Sequence, residues 1–253
     1  VAESTISRGA PEPDRMAKIH VLTRKEELDG ERLPGKVVIV LDVLFATSSI
    51  AAALAHGASE VVPTLDGEAA LAEARLRPPG SYVLSGELDA TTLPGFAHPT
   101  PLALVGQDLR GKALIYSTTN GTVALGKARD AAACYAAALV NGDAVVEHVL
   151  ATRREETILL VCAGSVNRFN LEDFYGAGYL VSLLARRGEH ELSDAALAAR
   201  LLHEDRDALE CLRQSRVGRL MRSRALDDEL RFAARKGSLA VVPKLEGGRL
   251  RAV

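Results

Sequence analysis

The chain has 253 residues, enough for one large domain or two small ones, and its formal net charge of −2 gives no general pull toward nucleic acid or an anionic membrane. Hydrophobic residues make up 47% but aromatics only 4%, with no Trp, so the core must be built from Ala, Val and Leu. Three widely spaced cysteines without a CxxC argue against a disulfide framework or a zinc site and fit a reducing, cytoplasmic setting. Residues 1–16 are polar and Pro-rich and lack the apolar stretch of a secretory signal. They read as a disordered tail ahead of a single domain over 17–253. No apolar run approaches the ~18 residues of a membrane span.

Val37–Leu41 is a continuous apolar run, the mark of a strand covered on both faces. Thr47, Ser48 and Ser49 offer N-caps for a helix through Ile50 and Leu54 that Gly57 closes. A strand at Val61-Val62, a helix over 68–76 and strands at Tyr82–Leu84, Ala113–Tyr116 and Thr157–Val161 follow. Leu171–Arg186 reads as a helix with Phe174, Ala177, Val181 and Leu184 on one face. Residues 193–236 break the alternation with two or three consecutive helices, and Ser238–Val242 offers a last strand. The expected fold is α/β: three layers, a largely parallel or mixed sheet between helices, and a C-terminal helical excursion.

Four apolar strands end in small polar or acidic residues: Asp42; Ser85-Gly86-Glu87; Ser117-Thr118-Thr119-Asn120-Gly121-Thr122; and Cys162-Ala163-Gly164-Ser165. In open α/β sheets ligands bind beyond the carboxyl ends of the strands, so these segments predict one shared crevice. Asp42 and Glu87 are the candidate catalytic and metal-binding residues, because Mg2+ takes one or two carboxylates and keeps oxygens from water and substrate. The alternative for Asp42 is a helix cap or turn, and for Glu87 a solvated surface acid. Ser117, Thr118, Thr119, Asn120 and Gly121 suit a phosphate ahead of a helix start, or else an ordinary turn. Thr47, Ser48 and Gly164 join them as candidate substrate contacts. Glu172 and Asp173 sit where acids complement a helix dipole. His98 reads as a solvated loop residue, and Arg213, Arg216, Arg219 and Arg222 as a solvated helix face.

These segments, in this order, resemble the 2-phosphosulfolactate phosphatase family. The resemblance is carried by Asp42-Val43-Leu44-Phe45-Ala46-Thr47-Ser48, Gly86-Glu87, Gly95-Phe96 with Pro101, Ser117–Thr122, Asn141–Val145, and Cys162-Ala163-Gly164 leading to Phe169–Asp173. It implies an Mg2+-dependent hydrolase of coenzyme M biosynthesis that converts 2-phosphosulfolactate and water to sulfolactate and phosphate. The attacking group is then either water or Asp42 itself; a haloacid-dehalogenase mechanism would want Asp at position 44, which is Leu44. The partner implied is a small phosphorylated organic acid rather than nucleic acid or membrane, with a homodimer as the assembly to test. The chain departs from the family pattern at Phe45 and Leu88, where cations are expected, and at Pro99-Thr100-Pro101. Arg168 offers a replacement cation for the substrate. The competing expectation is a diverged member that binds or converts another small acid.

Overall fold

The computed structural model describes residues 17–253 apart from 89, 154 and 155, so the expected tail lies outside the described residues. In chain order the elements are β1 (Lys18–Leu22), β2 (Val37–Leu41), α1 (Ala46–Ala55), β3 (Glu60–Thr64), α2 (Gly67–Arg75), β4 (Tyr82–Leu88) and β5 (Thr91–Thr92). They continue with α3 (Pro101–Val105), β6 (Ala113–Ser117), α4 (Gly121–Lys127), β7 (Ala133–Ala137), α5 (Gly142–Thr152), β8 (Ile158–Cys162), α6 (Leu171–Arg187) and β9 (Glu191–Leu192). Four helices follow, α7 (Asp194–Asp205), α8 (Ala208–Gln214), α9 (Arg216–Ser223) and α10 (Asp227–Ala233), and then β10 (Pro243–Glu246) and β11 (Arg249–Ala252).

The strands form one eleven-stranded sheet in the order β5-β4-β6-β3-β11-β10-β7-β2-β8-β1-β9. Two parallel blocks, β4-β6-β3 and β7-β2-β8-β1-β9, are joined through the antiparallel β10–β11 hairpin. β2 shows why its sequence is apolar throughout. Val37, Ile39 and Leu41 face a core shared with α5 and α6, while Val38 and Val40 face a second core built on α1 and α4. These are the expected three layers of a mostly parallel α/β/α sandwich.

α1 explains how strand ends from both blocks meet. Nine of its ten residues, Ala46 to Leu54, are buried. Its small Ala and Ser side chains let strands approach closely, and it shares a core with Val38, Val40 and Ala136 of one block and Val61, Leu114 and Tyr116 of the other. The four site strands are therefore two adjacent pairs, β2 with β8 and β4 with β6, rather than four neighbours. A common buried helix brings their ends together.

Three expectations are corrected. Thr47, Ser48 and Ser49 are not caps: the helix starts at Ala46, and their hydroxyls donate to Asp42 O, Val43 O and Pro99 O at 2.9, 2.8 and 2.6 Å. Ser238–Val242 is not a strand. The final pairing is β10–β11, turned by Gly247 and Gly248 with φ of +55° and +77°, the two positive φ values a tight hairpin requires. The excursion holds four helices, and it belongs to the main core, which takes in Ala196, Ala199, Leu212 and Leu230. Cys134, Cys162 and Cys211 are free and buried. Among the described residues no helix is long and apolar enough to cross a membrane.

Candidate active site

Asp42 follows β2 and is locked from behind. Thr47 Oγ1 donates to Asp42 O at 2.9 Å and accepts from Asp42 N–H at 3.0 Å, so the first turn of α1 fixes the acid's backbone. The next residue is held from the other side, where Val43 N–H donates to Asp173 Oδ1 at 2.9 Å and Gly164 N–H donates to Asp173 Oδ2 at 3.1 Å. Asp173 thus laces the end of β2 to the end of β8. Gly164 has a φ of +61°, and a Cβ there would sit 2.6 Å from Arg168 O, so only glycine fits this turn.

Glu87, at the carboxyl end of β4, is presented by the hydroxyl segment. Its Oε1 accepts from Thr119 N–H and Thr119 Oγ1, both at 2.9 Å, and its Oε2 from Ala90 N–H at 2.6 Å. The same segment meets Asp42 through Gly121, where a Cβ would lie 2.4 Å from Ala46 Cβ and 2.7 Å from Asp42 Oδ2. Asn120 Oδ1 accepts from Lys25 Nζ at 3.1 Å, and Lys25 also donates to Ala163 O. An ammonium only donates, so the amide is oriented and Asn120 Nδ2 is the atom left for the cavity.

The acids burden one another. Burial, reinforced by the charges of Glu87 and Glu172, pushes the Asp42 carboxyl up to about 7 against a hydrogen bond from Ala46 N–H and the charge of Lys25. Burial and the charges of Asp42 and Glu172 also hold Asp173 well above the carboxylate range. Glu172 is buried, and neither of its carboxylate oxygens is hydrogen-bonded among the described residues. Burial raises its pKa; Ser215 and Arg216 lie close enough to oppose this, although the Ser215 hydroxyl is committed to Leu212 O at 2.8 Å. Among the described residues no three His, Cys, Asp or Glu side chains form a metal cage. Asp42 and Glu87 instead provide hard carboxylate oxygens on one cavity wall, a donor set that fits a cation taking few carboxylates and several waters.

Above these acids lies a cavity of about 250 Å³. Asp42, Glu87, Thr118, Thr119 and Asn120 line it, so the structure brings together five of the predicted residues. Thr47, Ser48, Ser117, Gly121, Gly164 and Arg168 lie outside the lining. Thr47, Ser48, Gly121 and Gly164 shape the turns around it, Ser117 is buried, and the Arg168 side chain is exposed. Phe45 is on the wall beside Leu44, whereas Leu88 is 60% exposed and off the lining.

The sequence reading missed His98, Arg216 and Arg224, all on the lining, while Ser165 lies there as its strand-end segment predicts. His98 Nδ1 is within 2.9 Å of Thr100 Oγ1. In the sequence Arg216 falls on the arginine face that reads as solvated. The available signal was Val217, Leu220, Met221 and Arg224, which recur at i, i+3, i+4 and i+7 and all face the cavity.

An α/β sheet whose strand ends bring two carboxylates and a hydroxyl segment to one small cavity, roofed by a helix that adds two arginines, is the architecture of a small-molecule site. The comparisons with known proteins specify the class. The family model for 2-phosphosulpholactate phosphatase matches residues 22–248. A probable 2-phosphosulfolactate phosphatase of Carboxydothermus hydrogenoformans is 37% identical over 237 residues, covering 92% of this chain and 96% of that protein. One of Symbiobacterium thermophilum is 35% identical over 225 residues, 87% and 96% of the two chains. One of Clostridium perfringens is 32% identical over 240 residues, 93% and 96%. The chain belongs to the 2-phosphosulfolactate phosphatase family.

Proposed function

We propose that this chain hydrolyses 2-phosphosulfolactate, or a close phosphorylated hydroxy acid, with Mg2+ held by Asp42 and Glu87. The observation that carries the reading is the meeting of these two carboxylates, from separate parallel blocks, on the wall of one cavity in a member of this family. Bound there, Mg2+ would polarise phosphoryl oxygens and offset the charge that develops on them. Thr119 keeps Glu87 turned toward the cavity with two hydrogen bonds. Thr118 Oγ1 and Asn120 Nδ2 are the donors available to phosphoryl oxygens. Leu44 and Phe45 exclude water from one side.

In the reaction an oxygen of water forms a bond to phosphorus, the ester P–O bond breaks, and a proton reaches the departing alkoxide. His98 is the imidazole on the lining, and its Nε2, with Nδ1 engaged by Thr100, is placed to carry that proton. Three buried free thiols favour a cytoplasmic setting.

Phosphate release from 2-phosphosulfolactate, measured with Mg2+ and with chelator, tests the reading. Turnover should require the metal, vanish in Asp42→Asn, and need about tenfold more Mg2+ in Glu87→Gln, the loss of roughly one charged interaction. Undiminished turnover in chelator, or in Asp42→Asn, sinks it. Phe45 on the wall favours a second reading, a substrate with fewer negative groups. Faster release from 2-phospholactate than from 2-phosphosulfolactate would select that one.

A further inference from the structure

The roof of the cavity is α9. Val217, Leu220, Met221 and Arg224 present one face of this helix to the cavity, and Arg216 opens it at the other end. From Arg216 to Arg224 the backbone spans about 12 Å. The roof therefore reaches from the β8 turn, where Arg216 bonds Ser165, to the β4 turn, where Arg224 Nη1 donates to Ala90 O.

α9 is held in place. Ser215 caps it, its Oγ accepting from Gly218 N–H at 2.9 Å. A Cβ at Gly218 would fall 1.8 Å from Leu212 O, so α9 lies hard against the end of α8. Arg213 is taken up by Asp227 at 2.5 Å, and Arg219 turns back to Gln214 O.

Arg216 differs from both. Its Nη2 donates to Ser165 Oγ and, at 3.3 Å, to Asn170 Oδ1, which are neutral acceptors. Among the described residues no carboxylate lies within ion-pair distance of it, and its Nε and Nη1 carry no hydrogen bond. A guanidinium is a rigid fork that stays charged at any working pH. Fixed by neutral partners on a cavity wall, it keeps an edge for a planar or tetrahedral oxyanion.

We propose that Arg216 determines specificity by binding the acid group of the substrate that is not transferred, a carboxylate or sulfonate, across the cavity from Asp42 and Glu87. The proposal rests on the phosphoesterase reading for what lies at the Asp42 end, but its test needs no turnover. Sulfolactate, lactate and inorganic phosphate are titrated by calorimetry into the unaltered protein, Arg216→Gln, Arg216→Lys and the control Arg219→Gln, with thermal melts to show folding.

Arg216→Gln should raise the Kd for sulfolactate about 10- to 100-fold, the range of one or two charged hydrogen bonds, and that for phosphate less than threefold. Arg216→Lys keeps the charge but loses the fork and should fall between, which decides the matter if the Gln variant does not fold. Arg219→Gln makes the same charge change outside the cavity and should shift nothing by more than twofold. A loss for lactate equal to that for sulfolactate identifies the carboxylate as the group bound, and a loss confined to sulfolactate the sulfonate. Unchanged sulfolactate binding in both Arg216 variants, equal weakening of all three probes, or no sulfolactate binding by the unaltered protein overturns the proposal. Absence of phosphate release alongside the expected binding pattern would instead refute the hydrolase reading and leave this one standing.

Discussion

Thr119 spends both its donors on one oxygen of Glu87, so a residue of the hydroxyl segment serves the carboxylate before it can serve a phosphate. Thr119→Val keeps the backbone N–H bond and removes the hydroxyl. One such bond to a charged group is worth about 1.5 kcal/mol, so kcat/KM for phosphate release should fall roughly tenfold, partly recovered at higher Mg2+. Full activity at limiting Mg2+ would show that Glu87 needs no such orientation. At this scale the placement of Asp42 and Glu87 on one cavity wall was legible, because ligand crevices in open α/β sheets lie beyond the carboxyl ends of the strands and both acids sit there. Thr47 and Ser48 were not: sequence does not tell a hydroxyl facing a cavity from one folded back onto Asp42 O or Val43 O. Arg216 was hidden by its spacing, since Arg213, Arg216 and Arg219 look equivalent until Asp227 and Gln214 O claim the outer two.

Three elements are tied together far from the cavity. The Glu60 carboxylate, 8% exposed on β3, accepts from Arg77 beyond α2 at 2.7 Å and from Arg249 and Arg251 of β11 at 3.3 and 2.7 Å. Burial alone would raise its pKa, but the hydrogen bonds from Arg77 and Arg251 and the charge of Arg249 outweigh it and lower the pKa below 4.5. A depressed pKa means the folded state holds the proton less tightly than the unfolded one. Glu60 therefore contributes stability above about pH 4.5, and the contribution disappears as pH falls through the lower, folded value. Glu60→Gln should cost about 1–2 kcal/mol at pH 7 in urea unfolding, discounted because the arginines reach solvent, and the gap to the unaltered protein should narrow toward pH 3. A constant gap across that range would assign the loss to packing. β11, which carries two of these arginines, was missed in the sequence because Arg-Leu-Arg-Ala alternates over only four residues, with a single large apolar side chain to mark a buried face. β7, Ala-Cys-Tyr-Ala-Ala, reads locally as helix and becomes a strand only by pairing with β2.

Across the whole molecule, the convergence of four strand ends was legible, but their division into two pairs on opposite sides of a hairpin was not, because it depends on α1 being buried by both blocks. The same dependence bears on whether the α7–α10 excursion can open apart from the sheet. Cys211 and Leu212 of α8, Met221 of α9 and Leu230 of α10 share one core with Ile39, Leu41, Leu160 and Tyr175. Releasing the excursion would expose those strands, so it should not unfold first. The three thiols report on this without added probes. Burial pushes Cys134 of β7 up to about 12 and Cys211 up to about 11, and raises Cys162 of β8 as well, so none is reactive in the closed fold. Thiol labelling at rising urea, read peptide by peptide by mass spectrometry, should modify all three at rates within about threefold of one another, following the loss of helical signal, as expected of a single cooperative unit. Labelling of Cys211 tenfold ahead of Cys134 and Cys162 would mark the excursion as a separately opening part. The roof that carries Arg216 would then be able to lift while the acidic floor stays folded.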